Sequence, residues 1–213
     1  MIAIVHSGMI RAALPRSAAE IACRVLSPEE LVQFASAVTK KRRAELLAGR
    51  LAAKVACLCV RSAAGRPLPR LTDLSVHRNA SGRPECIAPD RETQQVSIAH
   101  SGDFAVAIAT PDNAVVGIDV EPAGKRLDFL LDGYFHPLEQ LQLESDSDAC
   151  RRWTIREAWA KLTGRGVEAD LATVATLQAG GRCWLTVPAH ETDRGIIAAA
   201  STARLTFAVA IRR

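Results

Sequence analysis

The sequence predicts an α+β fold of two similar halves, each with a small, mostly antiparallel sheet packed on a long helix. The clearest sign is that residues 104–108 (FAVAI) recur as residues 207–211. In both parts of the chain, a strand, a helix opened by Pro, an Arg-Arg helix, a Gly-Arg turn and paired strands also follow in the same order. These observations predict a duplicated unit, with halves 1–112 and 113–213 related by a pseudo-twofold axis. Two such units would form a ligand cleft between them.

Composition narrows the class of protein. The 213 residues are 48% hydrophobic and 23% charged, which is typical of a globular chain. The net charge of +4 suits an acidic or phosphorylated partner, but no dense Lys/Arg run is interleaved with aromatic residues, so we expect no nucleic acid. No apolar run reaches the roughly 20 residues that span a bilayer. The six cysteines lack zinc-site spacing, so we expect a reduced, cytoplasmic protein without membrane insertion.

The first half is predicted to alternate helices and short strands. Residues 2–5 have the pattern of a buried strand, and a helix begins at Ser27 with Pro and two acids in its first turn. A long helix is predicted over 39–60 from the spacing of its leucines. Gly49 inside that helix costs about 1 kcal/mol relative to Ala, which indicates close approach of another backbone or a ligand. Residues 81–84 predict a turn between two short strands.

The later elements are predicted in the same way. Gly164 and Gly166 close the second of the later helices. The predicted elements are, in order, strands at 96–99 and 104–109 with a loop at 100–103, a turn at 111–113, a strand at 115–121, helices from 137 and over 150–163, and strands at 173–178, 183–187 (after a turn at 180–181), 195–201 and 205–212.

Two carboxylates stand on one face of the 115–121 strand. Side chains alternate along a strand, so Gly117, Asp119 and Glu121 share a face while Val116, Ile118 and Val120 form the other. Like charges about 7 Å apart repel unless a cation lies between them. Gly117 would leave room for a ligand beside them. The alternative is an ordinary exposed face of an edge strand.

The 150–163 helix supplies a third carboxylate and a cation. Trp153, Glu157 and Lys161 lie at i, i+4 and i+8, on one stripe, with Arg156 beside it and Trp159 directed to the core. A weak surface ion pair between Glu157 and Lys161 is the alternative interpretation. The nearby acidic strand favours a Mg²⁺-dependent phosphate site.

These motifs together resemble a known family. Residues 117–121 (GIDVE), followed by 153–161 (WTIREAWAK), resemble the signature of the 4′-phosphopantetheinyl transferase superfamily. Its Gly-Lys/Arg-Pro turn, its Ser-x-Ser-His-Ser/Cys-Gly loop and its Ala-Gly-Arg helix resemble residues 81–84, 97–102 and 47–53. The Ala-Gly-Arg helix and the short length are most like the siderophore-synthetase-activating members, and the surfactin-synthetase-activating group shares the two-half architecture.

The resemblance implies a reaction. The family transfers the 4′-phosphopantetheine arm of coenzyme A to a Ser of an apo acyl, aryl or peptidyl carrier protein and releases adenosine 3′,5′-bisphosphate. By resemblance, Asp119, Glu121 and Glu157 hold Mg²⁺, and Glu157 is the general base, directly or through a water. Lys161 would neutralise a phosphate, and Arg156, where the family often has Lys, would clamp one.

The same resemblance suggests contacts to coenzyme A in the first half. The implied contacts to its phosphates and adenine are Arg43, Arg50, Arg83 and His100, with Ser101 as a lesser phosphate contact. Ala99 departs from the family, which often has Ser there, so affinity for coenzyme A is expected to be weaker or dephospho-coenzyme A better tolerated. The first half would thus lend ligand contacts to a metal site that belongs to the second half alone, in a monomer.

Two other functions fit the same residues. A Mg²⁺-dependent coenzyme A or nucleotide pyrophosphohydrolase would use the acids without a carrier. A non-catalytic module that binds coenzyme A is the third possibility, although the intact acids and Lys161 argue against it.

Overall fold

A computed structural model describes residues 1–111, 114–123, 135, 137–140, 145–164, 175–179, 183–187, 196–201 and 205–212. The chain divides into two compact units, Met1–Ala114 and Val115–Arg213.

The described part of unit 1 contains five strands and three α-helices, with a short 3₁₀ turn at Leu71–Asp73. In chain order these are β1 (Ile2–His6), α1 (Ser7–Val25), α2 (Pro28–Ser36), α3 (Lys40–Ala63), β2 (Ser75–Arg78), β3 (Pro84–Ile87), β4 (Thr93–Ser101) and β5 (Phe104–Thr110).

The described part of unit 2 contains a shorter set of elements. They are β6 (Val115–Pro122), α4 (Pro137–Gln140), α5 (Asp146–Thr163), β7 (Ala175–Ala179), β8 (Cys183–Val187), β9 (Ile196–Ser201) and β10 (Leu205–Arg212).

The described strands of each unit form an antiparallel sheet, and the two sheets have the same strand order. Unit 1 has the order β1-β5-β4-β3-β2 and unit 2 the order β6-β10-β9-β8-β7, so in each the first strand pairs with the last. The repeated sequence FAVAI lies in β5 and β10, the equivalent strands of the two sheets. The predicted α+β class with antiparallel sheets is confirmed.

A long helix packs on each sheet and makes its core. In unit 1, α3 contributes residues such as Ala53, Cys57 and Val60 to a cluster with side chains of β2 to β5. In unit 2, Ile155, Ala158 and Leu162 of α5 pack on Ala208 and Ala210 of β10. Small alanines on both surfaces let helix and sheet approach closely.

Helix termini follow the sequence signals. Ser27 caps α2 in a capping box with Glu30. Thr39 caps α3, and α5 ends at Gly164 with φ of 73°. The described helix boundaries differ from the predicted ones by a few residues, because α3 runs on to Ala63 and α5 begins at Asp146.

One helix was not predicted. Residues Ser7–Val25 form α1, a 19-residue helix, in a segment where no helix was expected. Its apolar pattern is weak and Pro15 within it is a helix breaker by propensity. Tertiary packing decides the outcome, because Ala22 and Val25 are buried against Phe34 and Leu47.

The predicted loop at 100–103 was too long. His100 and Ser101 are the last two residues of β4, and only Gly102 and Asp103 form the turn. Gly102 has φ of 55°, the left-handed conformation that permits so tight a reversal. Asp112, Asn113, Gly166 and the 180–181 turn lie outside the described residues. None of the helices in the described ranges is both long and apolar enough to cross a membrane.

Candidate active site

Strand β6 and helix α5 approach each other very closely at Gly117. A Cβ atom at this position would clash with the carbonyl oxygen of Ala158 and would lie 2.7 Å from the amide nitrogen of Leu162. The space beside Gly117 is therefore filled by the backbone of α5. The expectation that Gly117 leaves room for a ligand was wrong, because the glycine serves contact between helix and strand.

This contact brings Asp119 of β6 to Lys161 of α5. The ammonium of Lys161 donates a hydrogen bond to Asp119 Oδ1 over 2.6 Å. Asp119 is only 6% exposed, whereas the side chain of Lys161 is 31% exposed. The pair thus lies at the boundary between the interior of unit 2 and solvent, with the lysine on the accessible side.

The environment of Asp119 disfavours its charge. Burial raises the pKa of Asp119 to about 6, although Lys161 acts in the opposite direction, and the nearby charges of Glu157 and Glu121 raise it further. Glu157 and Glu121 are partly exposed. The same side chains that raise this pKa are the predicted metal-binding carboxylates.

The carboxylates of Asp119, Glu121 and Glu157 offer the oxygen donors that a hard cation prefers. Asp119 Oδ2 is buried and accepts no hydrogen bond from the part of the chain that the structure describes, and such an oxygen is normally satisfied. However, within the described ranges no three His, Cys, Asp or Glu side chains are gathered at the spacing of a metal site. The carboxylate oxygens are of the kind that Mg²⁺ prefers, but in this structure the cation beside Asp119 is the Lys161 ammonium.

Arg156 lies inside unit 2. It is 0% exposed, forms an ion pair with Glu139 of α4, and its guanidinium carbon is 5.2 Å from the centre of the Phe135 ring. Burial lowers the pKa of Arg156 to about 10. A side chain so enclosed is an internal ion-pair residue here, and its predicted contact to a phosphate stays a prediction.

In unit 1, His100 of β4 lies against Gly49 of α3. A Cβ on Gly49 would lie 2.6 Å from His100 Nε2 and 3.2 Å from Ile98 Cγ2. His100 Nε2 is 2.8 Å from the carbonyl oxygen of Glu45, to which it donates. The expected close approach at Gly49 is confirmed, but the close neighbours are the side chains of His100 and Ile98 instead of the predicted backbone or ligand. Two motifs of the predicted coenzyme A site are thus in direct contact.

Arg50 follows Gly49 and is held by α2. Its Nη2 donates to Gln33 Oε1 over 3.2 Å, and its Nε lies 3.3 Å from Glu30 Oε1. The side chain is 19% exposed. Burial lowers the pKa of Arg50, Glu30 raises it, and the charges of Arg78 and Arg42 lower it.

The other predicted contacts of unit 1 are distributed over separate elements. Arg43 donates from Nε to the carbonyl of Ala37 over 2.9 Å at the end of α2. Arg83 is half-buried, in the turn between β2 and β3. Ser101 is half-buried at the end of β4, and Ala99 is buried. Whether these residues contact coenzyme A stays a prediction.

Four residues of these two sites were not predicted from the sequence: Glu30, Gln33, Arg78 and Glu139. Glu30 and Glu139 are almost fully buried carboxylates that pair with predicted site arginines. Each occupies the third position of a helix that opens with Pro. That shared position was visible in the sequence, but its pairing partners depend on helix packing.

Comparison with known proteins points to a class of group-transfer proteins. The profile of the 4′-phosphopantetheinyl transferase superfamily matches residues 115–208. A 4′-phosphopantetheinyl transferase of Bacillus pumilus, psf-1, is 34% identical over 103 residues, 45% of this chain and 43% of that protein. A holo-[acyl-carrier-protein] synthase of Geobacillus kaustophilus is 40% identical over 106 residues, 49% of this chain and 80% of that protein.

This chain therefore belongs to the 4′-phosphopantetheinyl transferase superfamily. The match spans less than half the length of psf-1. Among solved structures, a holo-(acyl-carrier-protein) synthase of Bacillus anthracis in complex with CoA (3′,5′-ADP) is similar at 26% identity, with a TM-score of 0.41 over 52% of this chain and 94% of that one. The corresponding synthase of Neisseria meningitidis is 23% identical, with a TM-score of 0.41 over 52% and 97%.

Proposed function

We propose that this protein transfers the 4′-phosphopantetheine group of coenzyme A to a serine of an apo carrier protein and releases adenosine 3′,5′-bisphosphate. The observation that carries the proposal is the buried Asp119 carboxylate, with Oδ1 bound to Lys161 and Oδ2 without a partner in the described residues. Membership of the superfamily supports the same reaction.

The chemistry needs cations near the pyrophosphate and a base near the serine. Asp119, Glu121 and Glu157 would hold Mg²⁺, which would act as a Lewis acid on phosphate oxygens. Lys161, partly exposed beside Asp119, offers its remaining N–H donors to a phosphate oxygen. Glu157 would accept the proton of the carrier serine as its oxygen attacks phosphorus. The bond to the bridging oxygen breaks, and adenosine 3′,5′-bisphosphate leaves with the electron pair.

The proposed function also includes a carrier protein as partner and a separate role for each unit. An apo carrier with an acidic recognition surface suits the net charge of +4. Unit 1 would supply contacts to coenzyme A and unit 2 the metal and catalytic residues. The shared strand order and the FAVAI repeat support a duplication, and the pseudo-twofold relation between the halves stays a prediction. A siderophore-type carrier, a monomeric state and a cytoplasmic location stay predictions.

The test is mass spectrometry of the carrier. Purified protein, Mg²⁺, coenzyme A and a panel of apo acyl, aryl and peptidyl carriers should give a carrier that is heavier by one phosphopantetheine group. Asp119→Ala and Glu157→Ala should abolish the gain, and EDTA should do so reversibly. A panel with no mass change, or full activity of both variants, would argue against the proposal. Release of adenosine bisphosphate without a carrier would instead support the pyrophosphohydrolase alternative.

A further inference from the structure

Two side chains of α2 hold one guanidinium of α3. Gln33 accepts from Arg50 Nη2 over 3.2 Å, and Glu30 lies 3.3 Å from Arg50 Nε. Because Glu30 and Gln33 are three residues apart, they lie on one face of α2, one turn from each other. Contacts to two different nitrogens restrict the orientation of the guanidinium plane.

The charges around Arg50 leave an excess of cations. Glu30 also accepts a hydrogen bond from Lys54 over 2.5 Å, so one carboxylate faces two basic groups. Arg42 and Arg78 are close enough to influence the pKa of Arg50. Both of these side chains are exposed at the surface of unit 1. The surroundings of Arg50 therefore attract an anion.

Arg50 also lies beside a second predicted contact of coenzyme A. It directly follows Gly49, against which the ring of His100 packs. Its Nη1 has no hydrogen-bond partner among the described residues, and its side chain is 19% exposed. Nη1 thus remains available for a ligand oxygen, while Nη2 is hydrogen-bonded to Gln33 and Nε makes an ion-pair contact to Glu30 without a hydrogen bond in the described residues.

We propose that Gln33 and Glu30 are positioning residues that orient Arg50 toward a phosphate group of coenzyme A. The inference rests on the proposed function and extends it to side chains outside the family motifs. An arginine held in this way loses less conformational entropy when it binds phosphate. Gln33 would act only through Arg50, because the oxygen of its side-chain amide already accepts a hydrogen bond from the guanidinium.

A double-mutant cycle on coenzyme A affinity tests this role. Gln33→Met keeps the length of the side chain and the helix propensity but removes the acceptor. In the full-length protein, we expect it to raise the Kd of coenzyme A, measured by calorimetry, about threefold to tenfold. Arg50→Met should raise Kd about tenfold or more. In the Arg50→Met background, Gln33→Met should raise Kd by a further factor of less than about two, because Gln33 no longer has a guanidinium to orient.

Kinetics and a control separate positioning from structure. Gln33→Met should raise KM for coenzyme A and leave kcat unchanged, with the same Tm as the wild type. Ser36→Ala is the control: it removes a hydrogen bond on α2 from the Ser36 hydroxyl to the backbone carbonyl of Gln33, and it leaves the contact between the Gln33 side chain and Arg50 in place. We expect that control to leave Kd unchanged.

Each outcome has a distinct meaning. An unchanged Kd in Gln33→Met, or equal weakening in both backgrounds, would overturn the positioning role while leaving the transferase proposal intact. A wild-type protein that neither binds coenzyme A nor modifies a carrier would overturn the proposed function and this inference with it.

Discussion

Buried carboxylates organise both units at the level of single residues. Glu30 pairs with two cations one turn apart on α3, and Glu139 pairs with two cations one turn apart on α5. The cations are Arg50 and Lys54 in unit 1 and Arg152 and Arg156 in unit 2. Buried charges persist only when they are paired and hydrogen-bonded. The repeated arrangement thus ties a short helix to the long helix in each unit.

Removal of Glu30 is expected to destabilise unit 1 strongly. In Glu30→Ala, the fully buried ammonium of Lys54 would keep only the carbonyl of Val25, 2.7 Å away, as a partner. An uncompensated buried charge costs about 3–5 kcal/mol in the free energy of unfolding, which urea denaturation would measure. Glu29→Ala is the control, since Glu29 is exposed and bonds only to Ser75 at the surface. Equal losses in both variants would contradict the buried-charge argument.

The raised pKa of Asp119 predicts a pH dependence of stability. The folded-state pKa is about 6 and the ordinary value is 3.8, so the folded protein holds this proton to higher pH than the unfolded chain. The contribution of Asp119 to stability therefore falls as pH rises from about 4 to about 6, by at most about 3 kcal/mol. Above pH 6 the loss is complete.

Asp119→Asn isolates this effect. The unfolding free energy of the wild type minus that of the variant should fall as pH rises from 4 to 7, because only the wild type has the carboxyl group that loses its proton. Urea denaturation at a series of pH values measures it. A difference that is constant with pH would show that burial and Lys161 cancel, and one that shifts in favour of the wild type would show that Lys161 outweighs burial; either would contradict the prediction.

At the scale of elements, the contact of α5 with β6 depends on Gly117. Gly117→Ala would force a methyl group against the Ala158 carbonyl and the Leu162 amide. Neither is a flexible side chain, so helix and strand must separate. We expect a loss of about 1–3 kcal/mol or more in unfolding free energy, together with loss of transfer activity as Lys161 moves from Asp119.

Gly82→Ala is the control for this substitution. It meets nothing within 4 Å but has a φ of 79°, so only the backbone cost of about 1 kcal/mol applies. Full carrier modification by Gly117→Ala would indicate that the contact is not needed for the site.

A second glycine controls the position of His100. Gly49→Ala would place a methyl group 2.6 Å from His100 Nε2, and the imidazole can turn away only by giving up the Glu45 carbonyl. We expect the His100 ring resonances in NMR spectra to shift and the Kd of coenzyme A to rise about tenfold. Unchanged ring resonances would show that the site accommodates the methyl group by other movements.

At the scale of the whole molecule, we expect unit 1 to contribute to coenzyme A binding and unit 2 to contain the catalytic residues. Arg50→Met and His100→Ala in unit 1 should raise KM for coenzyme A and leave kcat within about twofold. Glu157→Gln in unit 2 should lower kcat about 100-fold or more, because it removes the proposed base. Steady-state kinetics with an apo carrier measures both. A fall in kcat without a change in KM for His100→Ala would contradict this division.

The sequence by itself determined the local features of this protein. The capping box at Ser27, the left-handed end at Gly164 and the strand pattern of the FAVAI repeat were all predictable. Each is decided by a few neighbouring residues, through hydrogen bonds to helix ends and side-chain alternation. The superfamily was also identifiable, because its motifs combine several such local patterns in a fixed order.

Only the tertiary structure decided the partners of the site residues. Asp119 and Lys161 are 42 positions apart, Gly117 contacts a helix instead of a ligand, and Arg156 lies inside unit 2. The helix α1 likewise forms against its own weak pattern because it packs on α3. Burial, pKa and ion pairing depend on which elements lie against each other. Those contacts connect residues far apart in the chain, where local sequence patterns carry no information.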